Sequence, residues 1–491
     1  MNQPRYGIAT LLKDLVLILL AVTAILLGTK YSVRQRNREE EIPARPRAAA
    51  GQLMTLSSDG KYLVNSIINK PVFIAGEDGW LLMEQISFED AKVYLSNRAT
   101  LGFNAVWLSP IDNVDQSNAP RNYYGNVPFD GPDFTNEDPA YWAYVDRVVK
   151  LADEYRITLV MDPAFVGIDS SGGYIDSYLN SSDATMTAYG AWLGNRYKNY
   201  DNIIWSLGGD ANPAVEGLYQ KIDDLGAGLA SADPKHLITL EACRGGCTDN
   251  NGISTLQAYN GNPPSWMRLN WVYNTQPTVI LGCQTAYTAA PTFLAPFMGE
   301  DWYELEHSMT GADTRTEGYW EVLSGCYLGR LFGNGPIWTF NSPHGGFGNG
   351  PSWQSQLSSE GSVAQSILGS LMRSREHWRL APDINHTVVT SGYGSGLTIT
   401  TTARTTDGQT IIAYIPNGNG TTLTVDMSNI TSQTGRAKCW WFNPRNGQPA
   451  RIGIFENTGS RNFTALDSND WVLVIDDAAT SLPPPGFGFQ P

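Results

Sequence analysis

Two segments carry the chemistry of this chain: Ile203-Ile-Trp-Ser-Leu-Gly-Gly-Asp210 and Thr292-Phe-Leu-Ala-Pro-Phe-Met-Gly-Glu300. Each is an apolar run of strand length that stops at glycine and then presents a carboxylate. Two further strand-like runs separate them. In a barrel of parallel strands, residues at the C-terminal strand ends face the active site. A carboxylate pair there is the minimal equipment for cleaving a glycosidic bond, one as acid/base and one as nucleophile or base. A single acid after a strand would more simply cap the next helix. Two acids at matched strand ends favour chemistry, so Asp210 and Glu300 are the candidate catalytic residues.

Other strand ends supply binding groups. Asp78 and Trp80 follow the first strand, Trp107 lies in the second, Asp162 ends the third and Asn212 follows Asp210. Trp338 and Asn341 belong to the run assigned as the eighth strand. A sugar ring needs one or two aromatic platforms and several hydrogen-bonding groups, and this set would converge on the barrel mouth. Any one of these tryptophans alone would read as core. The segments Asp112–Asp138 and Pro343–Pro351 are long enough to cover a substrate, the second as a mobile lid. Its glycines do not make a phosphate loop, because no Lys-Ser/Thr follows. The chain has no Gly-x-Ser-x-Gly elbow, which argues against a serine hydrolase.

The elements that must position these residues alternate strand-like and helical patterns from about residue 51 to 382, the signature of βα units. Strands are expected at Val72–Ala75, Asn104–Ser109, Ile157–Asp162, Ile203–Leu207, Leu237–Glu241, Leu269–Tyr273, Phe293–Met298 and Ile337–Phe340. Eight is the barrel number. Helical patterns fall between them at Phe88–Leu101, Ala140–Tyr155, along Leu218, Ile222, Leu225 and Leu229, around Tyr319–Tyr327, and at Leu357–Trp378. The expected fold is therefore α/β, a (β/α)8 TIM barrel; a doubly wound open sheet is the alternative. From 385 to 477 short Thr/Val/Ile runs separated by Asn-Gly and Asp-Gly turns indicate a small all-β sandwich. Residues 478–491 form a Pro/Gly tail expected to be disordered.

Composition narrows the class. The net charge of −15 and a pI near 4.8 argue against nucleic-acid binding. Residues 1–50 hold a basic leader with an uncharged apolar run, Leu15–Gly28, that extends to Ile8 if Lys13 and Asp14 sit near a membrane surface. It is expected to be an N-terminal transmembrane signal anchor or a cleaved signal helix, followed by a tether, Glu39–Gln52. Lys30, Arg34, Arg36 and Arg38 after the run oppose an outward-facing body by the positive-inside rule. Sequons at Asn180, Asn385, Asn419, Asn429 and Asn462, and a polysaccharide-type site, favour an extracellular or cell-surface location. Cys243 and Cys247 could close a small loop disulfide. With no second cysteine pair and scattered histidines, neither a metal nor any other cofactor is expected.

Several motifs resemble one family. Gly76-Glu-Asp-Gly-Trp80, Arg98-Ala-Thr-Leu-Gly-Phe-Asn104, Tyr141-Trp142, Trp205-Ser-Leu-Gly-Gly-Asp-Ala-Asn-Pro213 and Gly299-Glu-Asp-Trp-Tyr-Glu304 are similar to those of the apiosidase-like glycoside hydrolases. Trp440-Trp-Phe-Asn-Pro-Arg-Asn-Gly447 resembles the collagen-binding-like β-domain that accompanies them. The resemblance spans roughly residues 55–475. It implies a retaining mechanism with Asp210 as acid/base and Glu300 as nucleophile. The chain departs from the family's pattern after the fifth strand, Leu240–Cys243, and after the sixth, Val272–Thr275, both expected beside the sugar. The expected partner is a plant or microbial polysaccharide or oligosaccharide that loses a terminal sugar. A non-catalytic carbohydrate-binding surface protein is the alternative; a peptidase is disfavoured by the missing zinc motif and Ser/His/Asp set. Trp440, Trp441 and Phe442 lie at strand spacing, so at least one must face inward and the others are expected against the barrel.

Overall fold

The computed structural model describes residues 53–488 except 169–171, 244–252, 345 and 347. The predicted membrane helix and Cys247 lie outside the described residues. No helix among the described residues is long and apolar enough to cross a membrane.

Eight parallel strands build the barrel: β1 (Ile74–Asp78), β2 (Ala105–Leu108), β3 (Thr158–Met161), β4 (Ile203–Ala211), β5 (Ile238–Ala242), β6 (Asn270–Tyr273), β7 (Pro296–Glu300) and β8 (Gly329–Phe332). Hydrogen-bonded neighbours run β5-β4-β3-β2-β1-β8-β7-β6. Their side chains are buried almost throughout, because the barrel interior and the helix layer cover both faces. The remaining seam, between β5 and β6, closes in two places. Ile238 bridges Met267, and the Arg268 amide donates to Ile238 O at 2.9 Å. Farther along, Thr255 Oγ1 donates to Leu240 O at 2.7 Å and accepts the Trp271 amide at 3.0 Å, so one side chain replaces a rung of ladder.

Helices α1 (Phe88–Leu101), α2 (Pro139–Glu154), α3 (Asp183–Tyr197), α4 (Leu218–Ala232), α5 (Val279–Tyr287), α6 (Gly311–Ser324) and α7 (Glu360–Arg373) follow the strands, with only a short turn of helix, Thr255–Ala258, after β5. Their ends obey local chemistry. Ser87 caps α1 by accepting the Asp90 amide, and Gly102 ends it at φ 84°. Asp138 accepts the Ala140 and Tyr141 amides ahead of Pro139, which has no amide to leave unpaired.

The eighth strand is a correction. Ile337–Phe340 was the expected position, but Gly335–Trp338 is a helical turn, in which Pro336 loses nothing by lacking an N–H. The true strand, Gly329-Arg-Leu-Phe332, carries a charge in the middle of a buried run. Arg330 is tolerated there because it pairs with Asp301 and, at 3.0 Å, with Glu321. A disulfide between Cys283 and Cys326 joins α5 to the segment after α6.

The β-sandwich follows directly. Its six-stranded sheet runs in the order Leu380–Pro382, Thr401–Thr405, Thr410–Ile415, Trp471–Asp477, Arg436–Asn443, Gln448–Glu456. The second sheet pairs Val389–Ser391, Thr422–Asp426 and Ser460–Thr464. Alternation along Arg436–Asn443 sorts the aromatic triplet as expected. Trp441 enters the sandwich core with Leu423, Phe463 and Leu473, whereas Trp440 and Phe442 join the barrel's own apolar cluster with Ile412, Tyr414 and Val474. Two polar contacts and an aromatic stack help pin this interface. Arg375 binds Asp476 through two bonds of 2.8 Å, both groups buried. Arg315 reaches Asp470 at 2.7 Å, and the Tyr319 and Tyr414 rings stack with centroids 4.6 Å apart. The tail expected to be disordered touches the same region: Arg375 Nη2 donates to Pro483 O at 3.1 Å and the Gly486 amide to Ser374 Oγ at 3.0 Å.

Candidate active site

Asp210 and Glu300 end β4 and β7, as their sequence placement demands, and each is held by an unusual local feature. Before Asp210 the ladder between β4 and β5 jumps from the Leu207–Leu240 pair to Ala211–Ala242, so β4 bulges outward by two residues. The bulge runs through three positive φ angles in succession: Gly208 at 111°, Gly209 at 66° and Asp210 itself at 56°. Two glycines make that turn possible, but an aspartate in the left-handed region is a strained residue, and such strain clusters at functional sites. At β7 the glycine serves a different need. A Cβ on Gly299 would fall 1.9 Å from the Trp271 ring, so only glycine lets that indole pack beneath Glu300.

Glu300 pairs in register with Tyr273 on β6. Burial, followed by the charges of Glu241, Asp210 and Asp78, pushes its carboxyl well above the usual range, while the Tyr273 hydroxyl donates to it and opposes the rise. Tyr303 OH stands between Glu300 Oε1 (3.0 Å) and Asp78 Oδ2 (2.6 Å). Its single proton can serve only one at a time. Asp78 is likewise pushed up by burial, against the Tyr303 hydrogen bond. Asp162 Oδ1 accepts the Ala164 amide at 3.0 Å, and burial raises this carboxyl too. Asp115 belongs to the same field: burial and the charges of Asp112 and Asp210 push it up to about 7. Asp78, Asp162, Asp210, Glu241 and Glu300 at the strand ends, with Asp115 in the loop after β2, thus form one electrostatically linked group.

The other expected binding residues divide. Trp80 and Trp107 are each only 4% exposed. Trp80 packs edge-on against Trp107 at 4.8 Å, Trp107 against Trp271 at 4.9 Å, and Trp80 Nε1 donates to Asp112 Oδ2 at 2.9 Å. They form the floor beneath the site and leave almost no open ring face. Trp338 is half-buried, with Nε1 on Glu306 at 2.8 Å and its ring against Tyr303. Asn212 accepts the Ala214 amide at 2.9 Å and shapes the turn after β4. Asn341 bonds Pro351 O at 2.9 Å and accepts the Trp353 amide at 2.6 Å, closing the base of the Pro343–Pro351 loop. Gly345 and Phe347 of that loop lie outside the described residues.

Glu241 and Tyr273 lie in the two segments expected beside the sugar, although neither had been singled out as a site residue. Their signal was position: each closes a strand at the same end as Asp210 and Glu300. Trp302, half-buried with its ring 3.8 Å from His307, is a further aromatic beside Glu300. Among the described residues no group of His, Cys, Asp or Glu has the geometry of a metal site.

Comparison with known proteins agrees with the fold. A solved glycoside hydrolase is 23% identical, with 88% of this chain and 98% of that chain covered and a TM-score of 0.75. A glycoside hydrolase family 5 protein from Bacteroides vulgatus ATCC 8482 is 21% identical, with 89% and 96% covered and a TM-score of 0.74. At these identities the likeness establishes the fold. No curated protein matches the chain. Residues 385–476 match the family model described as 'Putative collagen-binding domain of a collagenase'. Residues 57–379, more than half of the sequence and all of the barrel, match the apiosidase-like catalytic domain, and the chain belongs to that family.

Proposed function

We propose that the protein is a retaining glycosidase that removes a terminal sugar from a plant or microbial polysaccharide, with Asp210 as acid/base and Glu300 as nucleophile. The observation that carries this reading is the placement of the two carboxylates on the ends of β4 and β7, within electrostatic reach of each other above an aromatic floor. Glu300 attacks the anomeric carbon while the bond to the leaving oxygen breaks, and Asp210 gives that oxygen its proton. Water then attacks the same carbon, Asp210 takes a proton from it, and the bond to Glu300 breaks. A release assay over aryl glycosides and pectic side chains tests the activity. Liberation of one sugar type supports the reading, and inertness across the panel refutes it.

The surroundings predict the pH profile. A nucleophile must be ionised, and Glu300 is held above the usual carboxylate range by burial and its acidic neighbours. Activity should therefore fall on the acid side at a higher pH than an isolated glutamate, near 4.3, would give. Tyr273 donates to the ionised form. Its replacement by Phe leaves the charged state less favoured, so the acid limb should move upward. A limb that stays put or moves down in Tyr273→Phe contradicts the role given to Glu300.

A further inference from the structure

Glu241 ends β5 directly beside the bulge that carries Asp210, and its two oxygens have different fates. Oε2 accepts the backbone N–H of Asp210. Oε1 is buried and has no hydrogen-bond partner. The side chain is 1% exposed. The amide it holds belongs to the one non-glycine residue in the run of three left-handed backbones, where conformation is least favourable. Nothing in the β4–β5 ladder can take that amide, because pairing lapses between Leu207 and Ala211. Without Glu241 the N–H would lose this partner, and the strained backbone its lateral restraint.

We infer that Glu241 is a positioning residue for the acid/base: its carboxyl clamps the Asp210 amide and so fixes the direction in which Asp210 points. The inference rests on the proposed roles of Asp210 and Glu300. A carboxyl is suited to this task because one oxygen can hold the amide while the other stays within the site. Burial, together with the charges of Asp210, Asp162 and Asp78, holds Glu241 well above the usual carboxylate range, which favours its protonated form. In that form the clamp adds no negative charge next to Asp210 and Glu300. Glutamine has the same shape and can still accept the amide through its carbonyl oxygen. Alanine cannot.

The test compares Glu241→Ala and Glu241→Gln on aryl glycosides whose leaving groups span a wide pKa range, with crystal structures of both variants. In the first step, which kcat/KM reports, a misaimed acid matters only where the departing oxygen needs a proton, whereas the second step needs Asp210 as base whatever has departed. Glu241→Ala should therefore lose about a hundredfold on poor leaving groups, the scale of a roughly 1 Å misplacement, and much less on good ones. Glu241→Gln should keep most of the activity with the leaving-group dependence of the parent. In the Glu241→Ala crystal Asp210 should leave the positive-φ region, and in Glu241→Gln it should remain there. Equal losses by Glu241→Ala on all substrates, equal damage by both substitutions, or an unmoved Asp210 backbone in Glu241→Ala would each overturn the inference. Should the parent protein cleave no glycoside, the proposed function fails, while the two crystal structures still decide whether Glu241 holds Asp210.

Discussion

Glu300→Ala should lose at least about 10³-fold in kcat/KM on every glycoside the protein cleaves, roughly 4 kcal/mol of transition-state stabilisation. The loss should not depend on the leaving group, because a missing nucleophile blocks formation of the covalent intermediate whatever departs. Asp210→Ala should behave differently. On natural substrates it should lose about 10²–10⁴-fold, the usual worth of general acid–base catalysis. On aryl glycosides with good leaving groups the first step should survive, since the departing oxygen needs no proton. Leaving-group series for the two variants check this contrast. If both variants tolerate good leaving groups equally, the role assignment fails.

The second large effect is on stability. Arg375 and Asp476 form a buried two-bond pair between the segment after α7 and the last strand of the sandwich. Removing one partner leaves an uncompensated buried charge, so Arg375→Ala should cost about 3–5 kcal/mol. Thermal melting should show the loss, while KM on a small aryl glycoside stays near the parent value. Deleting residues 385–491 should be more severe, because it exposes the barrel surface now covered by Trp440 and Phe442. The sandwich is thus read as part of the barrel's support. A truncated barrel that melts at the parent temperature but no longer binds polysaccharide would reverse that view.

The barrel was legible because its strands are short apolar runs bounded by helical periodicity, and seven of the eight strands overlap those runs, the first only at Ile74 and Ala75 because Val72 ends a separate short strand, Lys70–Val72. The eighth was misplaced for a physical reason. Arg330 interrupts its apolar run, and the two acids that make the charge tolerable, Asp301 and Glu321, come from elsewhere in the sequence. Helix α3 left little pattern because Gly190 and Gly194 interrupt its apolar face. The strand-end placement of Asp210 and Glu300 was readable from the apolar runs that precede them. What position could not reveal was packing direction: Trp80 and Trp107 share the strand-end signature of a sugar platform, yet three tryptophans stack edge-on and bury them. Glu241 was hidden differently. Its bond to the Asp210 amide depends on the two-residue bulge in β4, and a bulge is a property of two strands in register, which a single strand's residues do not display.

The most direct test of the central claim is a covalent trap. The protein is incubated with 2-deoxy-2-fluoro glycosides of the sugar found in the release assay, carrying a good leaving group, and then digested and mapped by mass spectrometry. A single glycosyl adduct on Glu300 is expected, formed in the parent protein and in Asp210→Ala but absent from Glu300→Ala. An adduct on another carboxylate, or turnover of the parent sugar with no adduct at any residue, would contradict it.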